Sequence, residues 1–256
     1  MDIIQSAILG LIEGVTEFLP ISSTGHLIIA SEWLGLPQTD SNKAFEVIIQ
    51  LSAILAVLTN YKERFHPKYV SLWVKVFIAF LPIAAIGFLC KDIVKSLFTI
   101  EVVPVMFIIG GIIFLIVEWY MKNRQPTTHT LDDISYNQAI AIGIAQVFAL
   151  IPGTSRAGST IVGALLAGVS RTASAEFSFL LALPVMLAAS GLDLVEHYKD
   201  FAGSQATTLI VGFVVAYISA WIVMKLFLAF LNRFTFNAFG IYRIVFGAAL
   251  LYWIYA

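Results

Sequence analysis

Glu13 and Glu17 stand four residues apart in an otherwise apolar stretch, Ile3–Phe18. On a helix that spacing puts both carboxylates on one face. Two like charges at membrane depth are costly, so such a pair must share a proton, meet an arginine or bind a cation. Hard divalent cations such as Mg²⁺ or Ca²⁺ favour carboxylate oxygens. A Leu19-Pro20 break follows, and then Ser22-Ser23-Thr24-Gly25-His26. Three hydroxyls at the start of a half-helix suit an anion, because the N–H groups there are unpaired. The same residues also make an ordinary N-cap. An imidazole beside them can act as base, acid or nucleophile. Further on, Pro152-Gly153-Thr154-Ser155-Arg156-Ala157-Gly158-Ser159-Thr160 offers a second polar tip with one arginine. The planar arginine fork suits phosphate, and it could equally pair with Glu13 or Glu17. Together these groups suit an oxyanion with a divalent metal, not a bare alkali cation. Glu46 and Gln50 share a face of the next helix and either line the same cavity or make an ordinary polar contact.

These residues sit in a chain that is 59% hydrophobic and 12% charged over 256 residues. Its mean hydropathy is +0.90. Soluble domains carry roughly a quarter charged residues, so this composition excludes a soluble enzyme and a disordered chain. A net charge of −1 offers no basic face for a phosphate backbone, which argues against a nucleic-acid partner. The single cysteine, Cys90, reads as a packing thiol. The first residues do not resemble a cleavable signal peptide: Asp2 replaces a basic start, and Glu13 and Glu17 interrupt the apolar run.

Six segments are long and apolar enough to span: Phe45–Tyr61, Ser71–Cys90, Val102–Tyr120, Ala175–Val195, Thr208–Leu231 and Ala238–Ala256. Lipid allows them only helix. Ile3–Phe18 followed by Gly25–Leu34, and Asn137–Ile151 followed by Gly158–Gly168, are shorter and broken at Pro20 and Pro152. Each pair reads as a re-entrant hairpin with a polar tip inside the membrane. The two prolines are 132 residues apart, and Ser22…Gly25 matches Ser155…Gly158. The expectation is an all-α polytopic membrane protein forming one integral membrane domain, 1–256. Its halves, about 1–124 and 132–256, form an inverted-topology repeat. Each half holds one re-entrant hairpin and three transmembrane helices, with the site at the repeat interface.

Orientation follows from the basic residues. Loops on the side away from the N-terminus (side B) carry Lys62, Arg64, Lys68, Lys122, Arg124, Arg171 and Arg233. Loops on the N-terminal side (side A) carry Lys43, Lys91, Lys95 and Lys199. Lys75, Lys225 and Arg243 are read as lying near the B ends of their spans. Side B is therefore expected in the cytoplasm, with both termini and the mouth of the first hairpin outside. His66, His129 and His197 read as solvated surface.

Glu13-Gly-Val-Thr-Glu17-Phe-Leu-Pro-Ile-Ser-Ser-Thr-Gly-His26 and Pro152-Gly-Thr-Ser-Arg-Ala-Gly-Ser-Thr160 resemble the two signature motifs of the bacterial undecaprenyl-diphosphate phosphatase family, the bacitracin-resistance proteins. Ala44-Phe-Glu-Val-Ile-Ile-Gln50 and Glu176-Phe-Ser-Phe-Leu-Leu-Ala182 extend the likeness nearly end to end, while the Tyr61–Ser71 connection is short for the family. The resemblance implies an integral membrane phosphatase that releases the terminal phosphate of a C55 isoprenoid diphosphate. That reaction recycles the lipid carrier for peptidoglycan precursors and confers bacitracin resistance. It also implies a divalent cation, Mg²⁺ or Ca²⁺, with Glu13 and Glu17 as catalytic residues that handle metal or proton. The polyprenyl diphosphate would be bound by Ser22, Thr24, Ser155, Arg156 and Thr160. Ser23 is expected as nucleophile with His26 as its base, or His26 as the nucleophile itself. A multi-pass protein of the bacterial plasma (inner) membrane, with its site opening outward and a homodimer as an assembly option, completes the expectation. Thr24-Gly25-His26 also resembles part of the type 2 phosphatidic acid phosphatase motif. That superfamily requires a histidine closer to Ser155-Arg156 than His197, so the assignment is rejected.

Two other classes compete. A transporter or flippase for an anionic isoprenoid lipid would share the broken helices, but transport needs no nucleophile. A structural scaffold would tolerate apolar residues at Glu13, Glu17, His26 and Arg156. Reporter fusions in the Lys122–Asp133 loop are expected to report a cytoplasmic location, and an external one would overturn the orientation.

Overall fold

The computed structural model describes residues 1–37, 39–97, 99–197 and 204–256, with the side chains of 40, 95, 192–197 and 204–205 left aside. The sequence assignments of Lys95, Lys199 and the His197 side chain fall outside these described residues.

Both short hairpins start the same way. Helix α1, Ile3–Thr16, opens on a capping box in which Asp2 and Gln5 exchange backbone and side-chain hydrogen bonds of 2.8 Å. Its partner α2 is Ser23–Trp33. Helix α3, Asp40–Asn60, leads through two 3₁₀ turns to α4, Val70–Leu89, then a short α5, Lys91–Ser96, and α6, Val102–Met121. Helix α7, Tyr136–Gln146, again opens on a capping box, Ser135 with Gln138, and runs into a 3₁₀ turn, Val147–Leu150. Its partner α8 is Arg156–Leu166. Helices α9, Arg171–His197, α10, Ser204–Leu231, and α11, Asn237–Tyr255, complete the chain. Among the described residues there is no strand, only one isolated bridge between Thr128 and Val169.

The six expected spans correspond to α3, α4, α6, α9, α10 and α11, each at least 18 residues and apolar, so the protein is a multi-pass membrane protein. Exposed isoleucine, leucine, valine and phenylalanine along their outer faces suit contact with lipid.

Glycine lets the short helices approach their neighbours. A Cβ at Gly10 would stand 2.3 Å from the Gly212 carbonyl oxygen, so α1 lies directly on α10. A Cβ at Gly143 would stand 2.6 Å from the Ala79 carbonyl oxygen, so α7 lies on α4 in the same manner. Such small-residue seams let membrane helices gain close packing where lipid supplies no hydrophobic drive. Phe18, fully buried, meets the edge of Phe179 on α9 at 5.1 Å and ties the end of α1 into the core.

Two faces are evident from the loop contacts. On face A, Gln5 Nε2 donates to the Leu34 carbonyl at 3.2 Å, closing the mouth of the α1–α2 hairpin. On face B, Gln138 Nε2 donates to the Ala167 carbonyl at 3.0 Å, closing the mouth of α7–α8. Arg64 pairs with Asp132 at 2.9 Å, and Glu118 accepts from Arg171 Nε and from the Phe236 N–H, both at 2.9 Å. The loops after α3, α6, α8 and α10 thus gather on one side. Lys75 lies there too, donating to the Asp132 carbonyl. Arg243 does not. The reading of Arg243 as lying near the B end of its span is overturned: its guanidinium reaches the Pro20 and Gly153 carbonyls, in the turns of both hairpins. Without it the cation bias of side B stands at nine against four.

The seams give a direct test. Gly10→Leu should destabilise the protein by about 1–3 kcal/mol, as overpacking does. Gly191→Leu, whose Cβ meets nothing within 4 Å among the described residues, should leave the melting temperature in detergent almost unchanged.

Candidate active site

The two tips are built on the same local plan. Ser22 and Ser155 both adopt positive φ, 69° and 77°, which non-glycine residues rarely do. Strain of this kind costs of order 1–3 kcal/mol and persists only where surroundings fix it. Each serine caps the helix it precedes: Ser22 Oγ accepts from the Gly25 N–H at 3.5 Å, and Ser155 Oγ from the Gly158 N–H at 3.0 Å. The residue after each cap therefore starts a half-helix at the meeting point of the tips. In the first tip it is Ser23 and in the second it is Arg156.

Glu17 joins them. Its backbone N–H donates to the Glu13 carbonyl, so it completes the last turn of α1. Ser23 Oγ donates to Glu17 Oε2 at 2.5 Å, and Arg156 Nη2 donates to Glu17 Oε1 at 2.8 Å. The pair is nearly dry, with side-chain exposures of 11% for Arg156 and 8% for Glu17. Arg156 is held from behind by the Ser178 carbonyl of α9, which accepts from Nη1 at 2.7 Å. Thr160 donates to Ser178 Oγ at 2.7 Å and braces that contact.

These groups border a cavity of about 200 Å³. Glu17, Ser22, Ser23, Thr24, Gln50, Ser155 and Arg156 form its polar wall, and Leu150, Ile83, Val185 and Met186 its apolar one. The space suits a compact anionic headgroup, not a long chain. Two features point to ligands. Among the described residues, the buried Arg156 Nε–H has no hydrogen-bond partner. Glu13 is wholly buried one turn below Glu17, and among the same residues neither carboxylate oxygen has a partner. Buried polar groups are nearly always satisfied, so each unpaired one asks for an explanation.

The structure therefore brings Glu17, Ser22, Ser23, Thr24, Gln50, Ser155 and Arg156 to one cavity, with Glu13 beneath. It separates three residues that the sequence reading grouped with them. Glu46 accepts from Ser31 Oγ at 2.5 Å and is not part of the wall. Thr160 lies behind Arg156, fully buried, and reaches the site only through Ser178. His26 is turned towards α11. Its Nδ1 is 2.7 Å from the Ser22 carbonyl and its Nε2 is 2.7 Å from Tyr242 Oη. The ring stacks on Phe246 at 4.8 Å and packs beside Phe107 at 5.3 Å. That aromatic slot, not any bond to Ser23, fixes the imidazole, and the Ser23 hydroxyl hydrogen goes to Glu17 instead.

Sequence reasoning missed Ser178, Tyr242 and Arg243. Arg243 carried a usable signal, since a charge within a membrane span is expensive and seldom incidental. Ser178 lay inside a quoted motif but without a charge to single it out.

Comparison with known proteins agrees over nearly the full length. The family model described as bacitracin resistance protein BacA matches residues 6–249. Undecaprenyl-diphosphatase 2 of Pseudoalteromonas translucida is 61% identical over 251 residues, covering 98% of both chains. The undecaprenyl-diphosphatase of Sulfurovum sp. is 59% identical, covering 98% of this chain and 99% of its own. That of Methanococcus aeolicus is 51% identical over 98% of both.

The placement of His26 is open to test. Tyr242→Phe removes one hydrogen bond, worth about 1 kcal/mol. It should lower the melting temperature by about 2–4 °C for a chain of this size. No measurable shift would mean that the His26–Tyr242 bond is not formed.

Proposed function

The chain belongs to the bacitracin resistance protein BacA family, and from that premise we propose how it works. It hydrolyses undecaprenyl diphosphate to undecaprenyl phosphate and inorganic phosphate, which recycles the lipid carrier of cell-wall synthesis and confers bacitracin resistance. The observation that carries the mechanism is the Glu17 carboxylate, shared between the Ser23 hydroxyl and the Arg156 guanidinium at a buried cavity.

Ser23 is the nucleophile. Its Oγ attacks the terminal phosphorus, the bond from that phosphorus to the bridging oxygen breaks, and undecaprenyl phosphate departs. The Ser23 proton passes to Glu17 Oε2, the atom it already faces, and from there to the departing phosphate oxygen, which leaves Glu17 ionised again. Water then attacks the phosphoserine, Glu17 accepts a proton from it and returns that proton to Ser23 Oγ as the phosphorus–serine bond breaks, and inorganic phosphate leaves. Glu17 thus takes the base role expected of His26, whose ring nitrogens are engaged elsewhere. Arg156 binds the transferred phosphoryl oxygens through its unpaired Nε–H and stabilises the charge that develops on them. The N–H groups at the starts of α2 and α8 face the same anion. Ser22, Thr24 and Ser155 line its cradle.

A divalent cation, Mg²⁺ or Ca²⁺, fits the site. Glu13 offers two buried oxygens without partners, beside Glu17. Among the described residues no group of three or more His, Cys, Asp or Glu side chains is assembled to hold a metal. Two carboxylates completed by substrate phosphate is the usual manner of Mg²⁺ binding. When bound, the ion would neutralise phosphoryl charge and lower the barrier to attack.

We also propose one membrane domain over 1–256, built as an inverted repeat of 1–124 and 132–256. Each half contributes one re-entrant hairpin and three spans. Supporting this, α1 lies on α10 as α7 lies on α4, and the hairpin mouths close on opposite faces. The cation bias supports a plasma (inner) membrane orientation with the loops of face B in the cytoplasm and the site opening outward.

The test is phosphate release by purified protein from C55 or C15 isoprenoid diphosphate, with Mg²⁺, Ca²⁺ or EDTA. The parent should be metal-dependent. Glu17→Gln should lose about 10²–10⁴-fold, the usual reach of a general base. Arg156→Ala should lose about 10²–10³-fold in kcat. Ser23→Ala should release no phosphate, and His26→Gln should retain more activity than Ser23→Ala. Lipid binding without phosphate release under any metal would turn the reading to a transporter.

A further inference from the structure

Arg243 is the largest fully buried side chain among the described residues, and nothing in the mechanism above uses it. It projects from α11 into the junction of the two tips. Its Nη1 donates to the Pro20 carbonyl at 3.0 Å, two residues before the strained Ser22. Its Nη2 donates to the Gly153 carbonyl at 2.9 Å, two residues before the strained Ser155. The remaining bonds go to α6: Nε to the Phe107 carbonyl at 3.3 Å and Nη2 to the Met106 carbonyl at 3.0 Å. No carboxylate pairs with it among the described residues. Helix α6 makes room for the fork with Gly110, where a Cβ would stand 2.2 Å from Nη2 and 2.7 Å from Cζ.

We propose that Arg243 is a positioning residue for the phosphatase reaction, setting the spacing and register of the two tips by holding one carbonyl of each in a single rigid fork. The inference rests on the reading of Ser23 and Arg156 as nucleophile and anion binder. These residues come from separate hairpins, and their approach is not fixed by chain connectivity. A planar guanidinium with several donors in fixed directions ties both turns to α6 at once. A lysine, with a compact point charge on a flexible stem, reaches the same place but cannot hold all four carbonyls in one geometry. Arg243 touches neither the cavity nor the reacting atoms. Its effect is therefore on the turnover step, where a displacement of about 1 Å can cost roughly 10²-fold.

The experiment measures kcat and KM for phosphate release, with melting temperature alongside, in the parent, Arg243→Lys, Gly110→Ala and the double variant. Gly110→Ala keeps the charge and pushes the guanidinium off its bonds. Alanine also favours helix over glycine, so α6 itself gains. Both single variants should lower kcat by about 10–10²-fold with KM within about threefold. The double variant should be no worse than Arg243→Lys alone, because both act through the same clamp. Parental kcat and KM in either folded single variant, with only a lower melting temperature, would overturn the proposal. So would losses that multiply in the double variant. If Arg243→Lys fails to fold, Gly110→Ala decides by itself. An inactive parent would instead defeat the phosphatase reading, so the two failures remain distinct.

Discussion

A carboxylate and a guanidinium facing each other in a nearly dry space is the constraint from which the rest of the architecture follows. Glu17 and Arg156 are 139 residues apart in the chain and 2.8 Å apart in space. Breaking such a pair by removing one partner strands a buried charge, at about 3–5 kcal/mol. Forming it requires that each charge also find neutral hydrogen-bond partners. Glu17 finds the Ser23 hydroxyl, and Arg156 finds the Ser178 carbonyl braced by Thr160. The pair is thus a structural knot and, on the proposed mechanism, a reactive one. The contact that satisfies the carboxylate is the one that points it at a hydroxyl hydrogen. Low surrounding polarity strengthens this electrostatic contact relative to water.

Bringing those charges together requires irregular backbone in the interior of a membrane protein, which lipid does not tolerate unless protein satisfies it. The tips meet that demand with three devices. The serine caps take up helix N–H groups, and the positive φ of Ser22 and Ser155 turns the chain sharply enough to expose the next residue. Arg243 takes up carbonyls that the turns would otherwise leave bare. Close packing of α1 on α10 and α7 on α4 then holds both hairpins against the long helices, glycine allowing an approach that any Cβ would block.

Much of this was legible in the residues. Apolar run lengths located all six long helices, because a spanning helix must be long and unbroken. The prolines and small residues located both tips. Intramembrane Glu13, Glu17 and Arg156 announced a site, because isolated charges there are costly. What was not legible was direction. His26 stands beside the hydroxyls in sequence, yet its ring enters a slot formed by Phe107, Tyr242 and Phe246, which lie far along the chain. Thr160 belongs to the second motif but serves Arg156 from behind. Arg243 was read as lying near the B end of its span because a pattern of spans gives depth only coarsely, and its partners are backbone carbonyls that no motif displays.

The two tips share a local backbone plan but carry different side chains. Their backbones match at the capping serine and at the glycine three residues on. Between those points the side chains diverge, Ser23-Thr24 in one and Arg156-Ala157 in the other. The same geometry therefore presents a hydroxyl, the proposed nucleophile, from one tip and a fixed cation from the other. Two identical serine tips would offer two nucleophiles and no means of holding a doubly charged phosphate. Two arginine tips would repel each other in a dry space. The unlike pair shares the one Glu17 carboxylate, and on the proposed mechanism it sets attack and charge stabilisation side by side on the polar wall of one small cavity.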